Sequence, residues 1–316
     1  MQLKKNLNSV TAFAPASCAN VAVGFDILGF AIDAVGDYVS LTLRNDNQIV
    51  IEKIESKDEL PLDPKKNVVA AVIQKACDEL NISQGFSIHL RKSIALSSGM
   101  GGSAASAVAA IVAFNQFLLK PLTPADLIRY ALYGEEIACG HAHADNVVPC
   151  LLGGLTLTRS IDPLDVIQLP VPKCFYVIVH PHLRVETKLA RAVIKSELPL
   201  KEYVQQSANL ASFIVSLYEN NISLLQKSLT DVLIEPQRSS LVSGFYEVKA
   251  AALKAGALGV SFSGSGPSLF AFAATQQNAI EVGNTMQIAF ANEKIASDIY
   301  VDQISKNGAR IYPAWV

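Results

Sequence analysis

Charge is scarce in this chain and neither sign dominates: 17% of the 316 residues are Asp, Glu, Lys or Arg, and the net charge is -2. Proteins that hold nucleic acid by neutralising phosphates need a basic field, so that class is excluded, whereas a small charged ligand is not. Cysteine is also sparse. Cys18, Cys77, Cys139, Cys150 and Cys174 form no C-x-x-C pair and are odd in number, which excludes a disulfide framework and predicts a reduced, cytoplasmic protein. The opening MQLKKNLNSV lacks the apolar core of a signal peptide, and the most apolar segment, Ala104 to Leu119, is interrupted by Ser106, Asn115 and Gln116. No membrane span is therefore expected. Internal repeats and low-complexity tracts are missing too. What is abundant is apolar side chain, 50% of the total, enough at this length to bury a large core and to divide into two domains.

Period-two alternation predicts strand within 31–50 and at Phe86–Leu90, and helical spacing predicts a helix over Asn67–Leu80. A longer helix is expected from Ser103 to about Leu119. Thr123-Pro124-Ala125-Asp126 combines an N-cap, a proline at the first helical position and an acid in the first turn, which predicts a helix from Pro124 to about Cys139. A Pro-containing stretch, 162–172, precedes a fresh strand at Cys174–His180. Helical patterns follow near Thr187–Lys195, Glu202–Asn220 and Leu241–Ala255, and strands at Gly259–Phe262, Leu269–Ala273 and Ile299–Val301. Two α+β domains, 1–160 and 161–316, are expected.

The segment Ser93 to Ala110, SIALSSGMGGSAASAVAA, is a Gly- and Ser-rich turn running into an apolar helix. Gly99, Gly101 and Gly102 permit turns closed to residues with a β-carbon, so several N–H groups can converge on one anion at the positive end of the helix. It is neither a Walker A loop, which needs Lys before Ser or Thr, nor a dinucleotide fingerprint, whose glycine spacing fails here. A capped loop with no ligand is the plainer reading of the segment taken alone.

Three polar islands lie in apolar surroundings: PASCAN with Gly24-Phe25-Asp26, His143-Ala144-Asp145-Asn146 beyond the helix carrying Glu135, and Gly264-Ser265-Gly266. Each alone reads as turn chemistry. Together with the phosphate loop, PASCANVAVGFD, SSGMGGSAAS and SFSGSGPSLFAF resemble, in order, the first, the ATP-binding and the third motif of the GHMP kinases. Within that family the Ser-x-Ala-Asn, Gly-Phe-Asp and His-Ala-Asp-Asn-Val-x-Pro runs are most similar to the branch that phosphorylates homoserine.

The resemblance implies a ribosomal protein S5-like first domain, a ferredoxin-like second domain, and ATP with Mg²⁺ bound between them. It implies ATP contacts at Asn67, Ser97, Ser98, Gly99, Met100, Gly101, Gly102 and Ser103, with Glu135 and Ser103 holding the metal. It also implies L-homoserine as substrate, its ammonium received by Asp26, its carboxylate by Arg191 and Arg238 through planar two-pronged bonds, and its hydroxyl oriented by Asn146. Asn20, His143, Asp145, Thr187 and Gly264 complete the pocket, and a homodimer is suggested. The ATP loop of the family commonly reads Gly-Leu-Gly-Ser-Ser-Ala, so Gly102 here stands where a serine is usual. Alternatives remain for particular residues: Asn67 as a helix cap, Glu135 and Glu136 as a solvated face, each Arg as an ordinary ion pair. The pairs His141/His143 and His180/His182 have a spacing that suits a metal on a strand, but no further ligands complete a zinc site. Mevalonate or shikimate as substrate, or nucleotide binding without turnover, are the competing functions.

Overall fold

The computed structural model describes residues 1–313. Its first part carries β1 (Ser9–Ala19), β2 (Leu28–Leu43), β3 (Ile49–Ser56), α1 (Val68–Leu80), β4 (Phe86–Lys92), α2 (Gly102–Phe117), α3 (Pro124–Cys139), α4 (Ala144–Leu152), β5 (Leu155–Ile161) and β6 (Leu164–Leu169). The second carries β7 (Phe175–Pro181), α5 (Thr187–Ala192), α6 (Leu200–Glu219), α7 (Ile222–Ser228), α8 (Glu235–Arg238), α9 (Phe245–Lys254), β8 (Gly259–Phe262), β9 (Leu269–Ala273), α10 (Gln276–Asn292), β10 (Ser297–Asp302) and β11 (Arg310–Tyr312). This is the mixed α+β architecture expected from the sequence.

Two sheets organise the chain. A seven-stranded sheet runs β11-β1-β2-β4-β3, with the β5–β6 hairpin joined to β2 through β5. A four-stranded antiparallel sheet runs β10-β7-β9-β8. The Pro-containing stretch 162–172 contains β6, so the chain stays in the first sheet through Leu169, and β11 returns to that sheet from the C-terminal side.

The sheets are welded by aromatic packing. Phe30 of β2 meets Tyr176 and Phe272 at centroid distances of 5.6 Å each, and Phe270 edge-on at 6.3 Å. All four are fully buried, and aromatic pairs of this kind add about 0.5–1.5 kcal/mol each beyond their area. The other face of the smaller sheet is covered by α9 and α10 through Val248, Ala252, Val282 and Met286. A cleft between the two parts therefore has stiff walls.

Helix ends set its rim. α3 opens on a reciprocal capping box between Thr123 and Asp126, has Pro124 in its first turn and ends at Gly140 in the left-handed region. α1 is capped by Asn67, whose Oδ1 accepts from Val69 N at 3.0 Å. α2 differs: its N-cap is Gly101, with φ +62°, and no side chain caps it. Its first-turn N–H groups thus lack the side-chain partner that caps α1 and α3.

Candidate active site

β1 delivers the first motif. The register of β1 against β2 shifts between Pro15 and Ala16, a bulge that re-aims the strand end. Beyond it, Ser17 N donates to Met100 O at 3.1 Å and Ser17 Oγ to Asn146 Oδ1 at 2.9 Å. The strand then turns through Asn20, Val21 and Ala22, all at positive φ, which costs on the order of 1 kcal/mol or more per residue. Asn20 holds this turn: its Nδ2 donates to Gly264 O at 2.8 Å, and its Oδ1 accepts from Asp26 N at 3.0 Å. First and third motifs are thus bound directly to one another.

The third motif also braces the Gly-rich loop. Ser263 Oγ donates to Gly99 O at 2.8 Å, and Ser268 N donates to Ser98 O at 3.1 Å. A β-carbon on Gly101 would lie 2.1 Å from Ser17 Oγ and 2.8 Å from Asn146 Oδ1. The departure at Gly102 has a local cause, since a β-carbon there would lie 3.0 Å from Lys92 Nζ and 3.1 Å from Ile94 Cγ2.

These elements enclose a cleft of about 730 Å³, large enough for a nucleotide and a small second ligand. It brings together Asn20, Asp26, Asn67, Ser97, Ser98, Gly99, Gly101, Gly102, Ser103, Glu135, His143, Asp145, Asn146, Thr187, Arg191, Arg238 and Gly264. Met100 is absent from the lining; it is buried in the core beneath the loop. Asn67 reaches the cleft, but its amide is engaged by the α1 cap and by Pro61 O, to which Nδ2 donates at 3.1 Å. His141 and His143 lie in the α3–α4 turn and at the α4 N-cap rather than on a strand. His180 does lie on β7, where its Nδ1 is 3.1 Å from Ser268 Oγ.

The charged groups fall into two sets. Toward the second part of the chain, Arg191 Nη2 donates to both oxygens of Asp26 at 2.8 Å. Arg238, 3% exposed, donates from Nε to Ala190 O at 2.9 Å and from Nη1 to Gly264 O at 3.2 Å. Among the described residues no carboxylate pairs with it, and burial pulls its pKa down to about 10. Both guanidinium carbons sit over the Phe25 ring, at 5.5 and 5.2 Å. In Arg238, Nε and one N–H of Nη1 are engaged by backbone carbonyls, while Nη2 and the second N–H of Nη1 make no hydrogen bond among the described residues.

Toward the loop, Glu135 is buried, and its Oε1 has no hydrogen-bond partner. Burial raises its pKa to about 7 against the opposing pull of the Ser103 hydroxyl and the Lys92 ammonium. Asp145 is likewise pushed up to about 7, by burial and by repulsion from Asp26 and Glu135. Burial, and then the Arg191 charge, lower the pKa of His143, whose Nε2 is buried without a partner. The apolar site thus makes charge costly wherever no ligand compensates it.

Sequence reasoning missed one charged pair. Lys92 Nζ, buried, donates to Asp37 Oδ2 at 2.5 Å, Gly102 O at 2.7 Å and Ser106 Oγ at 3.2 Å, directly under the start of α2. Asp37 also accepts from Ser93 N and Ile94 N at 3.0 and 3.2 Å. The pair is 55 residues apart in sequence with no motif around either member. The available signal was a Lys two residues past the predicted strand Phe86–Leu90, just before the Gly-rich turn.

Residues 67–154 match the family described as GHMP kinases N terminal domain, and residues 213–292 match GHMP kinases C terminal. The homoserine kinase of Chlorobaculum tepidum is 45% identical over 96% of this chain and 98% of its own length. That of Chlorobium phaeobacteroides is 43% identical over 96% and 100%. The crystal structure of homoserine kinase from Cytophaga hutchinsonii superposes with a TM-score of 0.94 at 44% identity, covering 99% of this chain and all of that one.

Proposed function

The chain belongs to the GHMP kinases, and from that membership we propose that it transfers the γ-phosphoryl group of ATP to the side-chain hydroxyl of L-homoserine, giving O-phospho-L-homoserine on the route to threonine. The observation that carries this reading is Arg238. A guanidinium buried with no carboxylate in direct contact is costly, and a substrate carboxylate at its free N–H groups would relieve the cost. The neighbouring Asp26–Arg191 pair offers the complementary change of partners, with Asp26 turning to a substrate ammonium and Arg191 to the carboxylate. An amino acid that is both anionic and cationic fits this set. Mevalonate and shikimate carry no ammonium.

Several residues are assigned roles on this reading. The uncapped N-terminus of α2 and the loop from Ser97 to Ser103 cradle the triphosphate, while the edge of the cleft near Asn67 receives the adenine. Lys92, its charge balanced by Asp37, holds the loop through Gly102 O. Asn146, fixed by Ser17, orients the substrate hydroxyl, with Asn20, His143, Asp145, Thr187 and Gly264 shaping the pocket. Phosphoryl transfer asks mainly for positioning and charge neutralisation, so no strong base is required.

Among the described residues no three His, Cys, Asp or Glu side chains gather as a metal site. Mg²⁺ bound with a nucleotide needs only one or two protein oxygens, the rest coming from phosphates and water. The unpartnered Glu135 Oε1, with the Ser103 hydroxyl beside it, fits that demand. When bound there, the ion would neutralise charge on the β- and γ-phosphates.

The same reading places the enzyme in the cytoplasm, supported by five free cysteines; no helix among the described residues is long and apolar enough to cross a membrane. The division between the two units, expected at 160/161, is proposed to follow Leu169, where the chain leaves the first sheet.

The deciding measurement is Mg²⁺-dependent ADP release with L-homoserine, mevalonate, galactose and shikimate in turn. Turnover with homoserine alone is expected. Equal or exclusive turnover of mevalonate would refute the assignment, and binding without turnover of any substrate would make the protein a sensor. A second measurement concerns Arg238→Lys. One ammonium cannot serve Ala190 O, Gly264 O and a carboxylate in their three directions. The loss of a charge-assisted bond costs on the order of 1.5–3 kcal/mol, or roughly 10- to 150-fold in kcat/KM for homoserine. The KM for ATP should change little, and an unaltered homoserine kcat/KM would mark Arg238 as purely structural.

A further inference from the structure

The Gly-rich loop is held from outside at four consecutive residues. Leu96 N donates to Asp58 Oδ2 at 2.9 Å, and Ser97 O accepts from Val185 N at 3.4 Å. Ser98 O accepts from Ser268 N and Gly99 O from Ser263 Oγ. Three of these four holders belong to the second part of the chain, and Asp58 belongs to the first. The hold matters most at Ser97, whose φ of +54° is a left-handed conformation that serine adopts at a cost and that its surroundings must enforce.

Asp58 is where the two parts meet on the loop. It lies just beyond β3, and both of its carboxylate oxygens are engaged: Oδ2 by Leu96 N, Oδ1 by Arg184 Nη2. Arg184 directly precedes Val185, so Asp58, Leu96, Ser97, Val185 and Arg184 close a ring of contacts across the rim of the cleft. Both sides of this ring run on into the site. Leu60 and Pro61, two and three residues past Asp58, line the cleft, as does Thr187, three residues past Arg184 at the start of α5. The Arg184 side chain is 67% exposed and that of Asp58 17%. An ion pair so open to water adds little to global stability. Its effect falls on the shape of the loop, because a segment ordered beforehand loses less freedom when a ligand binds.

We propose, on the reading that this loop cradles the triphosphate, that Asp58 is a positioning residue for nucleotide binding and that its ion pair with Arg184 locks the loop across the two parts of the chain. Neither residue lines the cleft, so both act through Leu96 and Ser97.

Calorimetric titration with ATP, with no homoserine present, tests this apart from turnover. Arg184→Met removes the cation and leaves the Leu96 bond; it is expected to weaken ATP binding roughly three- to fivefold, and Arg184→Lys to recover most of that loss. Asp58→Asn replaces one of the two acceptor oxygens by a donor and should weaken binding about tenfold. Because the two side chains act as one unit, adding Arg184→Met to Asp58→Asn should change the affinity by less than about 1.5-fold. In peptide-resolved hydrogen exchange, residues 93–100 should exchange faster in both single variants while the rest of the chain exchanges as in the wild type. Wild-type ATP affinity in Arg184→Met overturns the proposal, as do effects of the two substitutions that simply multiply. A wild type that binds no ATP overturns it together with the kinase assignment. ATP binding that responds to these variants without any turnover of homoserine refutes the substrate assignment alone and leaves Asp58 and Arg184 their role.

Discussion

A Gly101→Val protein is expected to lose nucleotide binding and at least about 100-fold in activity, the scale on which misplacement of reacting groups acts. Two causes act together. The residue sits at φ +62°, a conformation that a β-branched side chain adopts only at a cost. Its β-carbon would also lie 2.1 Å from Ser17 Oγ and 2.8 Å from Asn146 Oδ1. Relief requires moving either the loop off the start of α2 or Asn146 out of the position assigned to the substrate hydroxyl. Gly154→Ala separates the causes, because Gly154 has φ +73° but no atom within 4 Å of the added carbon and lies outside the cleft. That control should lose some stability through backbone strain and keep its kinetics. Calorimetric titration with ATP and steady-state rates check both proteins. Wild-type ATP affinity in Gly101→Val would place the phosphate cradle elsewhere.

The parts of the fold that sequence disclosed were those written in local chemistry. α3 matched its expectation end to end because Thr123, Pro124, Asp126 and Gly140 are all terminal signals. β8 and β9 matched because short apolar runs flank a Gly-rich turn. β1 was hidden for the opposite reason. Every residue from Val10 to Ala19 is buried, so the strand shows no alternation, and its Pro, Ser and Asn read as a turn. α4 was not anticipated, because it is only nine residues long with Pro149 inside it, and so short a run carries no helical period of its own. The β5–β6 hairpin was obscured by Pro163 and by the turn residues around it.

The site divides along the same line. Asn20, Asp26, Asn146 and Gly264 were legible because each belongs to a motif, and the cleft brings them together. The Lys92–Asp37 pair was not, because only the folded sheet brings β2 and β4 side by side beneath the loop. Nor does sequence convey that Asp26 and Arg191 pair with one another, or that Arg238 uses two of its nitrogens on backbone carbonyls. Those facts depend on how α5 and α8 are placed relative to the first motif.

If Glu135 holds the metal as proposed, its carboxyl makes the protein's stability and its chemistry pull in opposite directions, and Glu135→Gln should expose both effects. In the folded protein its pKa is raised to about 7, above the value near 4.3 of an unfolded chain. Between those values the folded state binds more protons than the unfolded state, so its contribution makes stability fall as pH rises from about 4 to 7. Above that window the deficit is on the order of 3–4 kcal/mol. Asp145, also raised to about 7, acts in the same direction. Gln keeps the shape without the charge, so in the absence of ligand Glu135→Gln is expected to melt above the wild type at pH 8 and at a similar temperature near pH 4.5. With ATP and Mg²⁺ the order of merit reverses. An oxygen ligand that lacks charge should cost about 10²- to 10³-fold in kcat, the range seen when a single transition-state contact is removed. Binding of ATP without metal should change little. Because metal must displace the proton from Glu135, the apparent affinity of the wild type for Mg²⁺ should rise with pH up to about 7 and then level off, and the variant should show a flatter profile. Thermal melts from pH 4.5 to 8, together with Mg²⁺ titrations at each pH, measure these effects. A variant with wild-type kcat and an unchanged melting profile would show that Glu135 neither carries charge in the cleft nor serves the reaction.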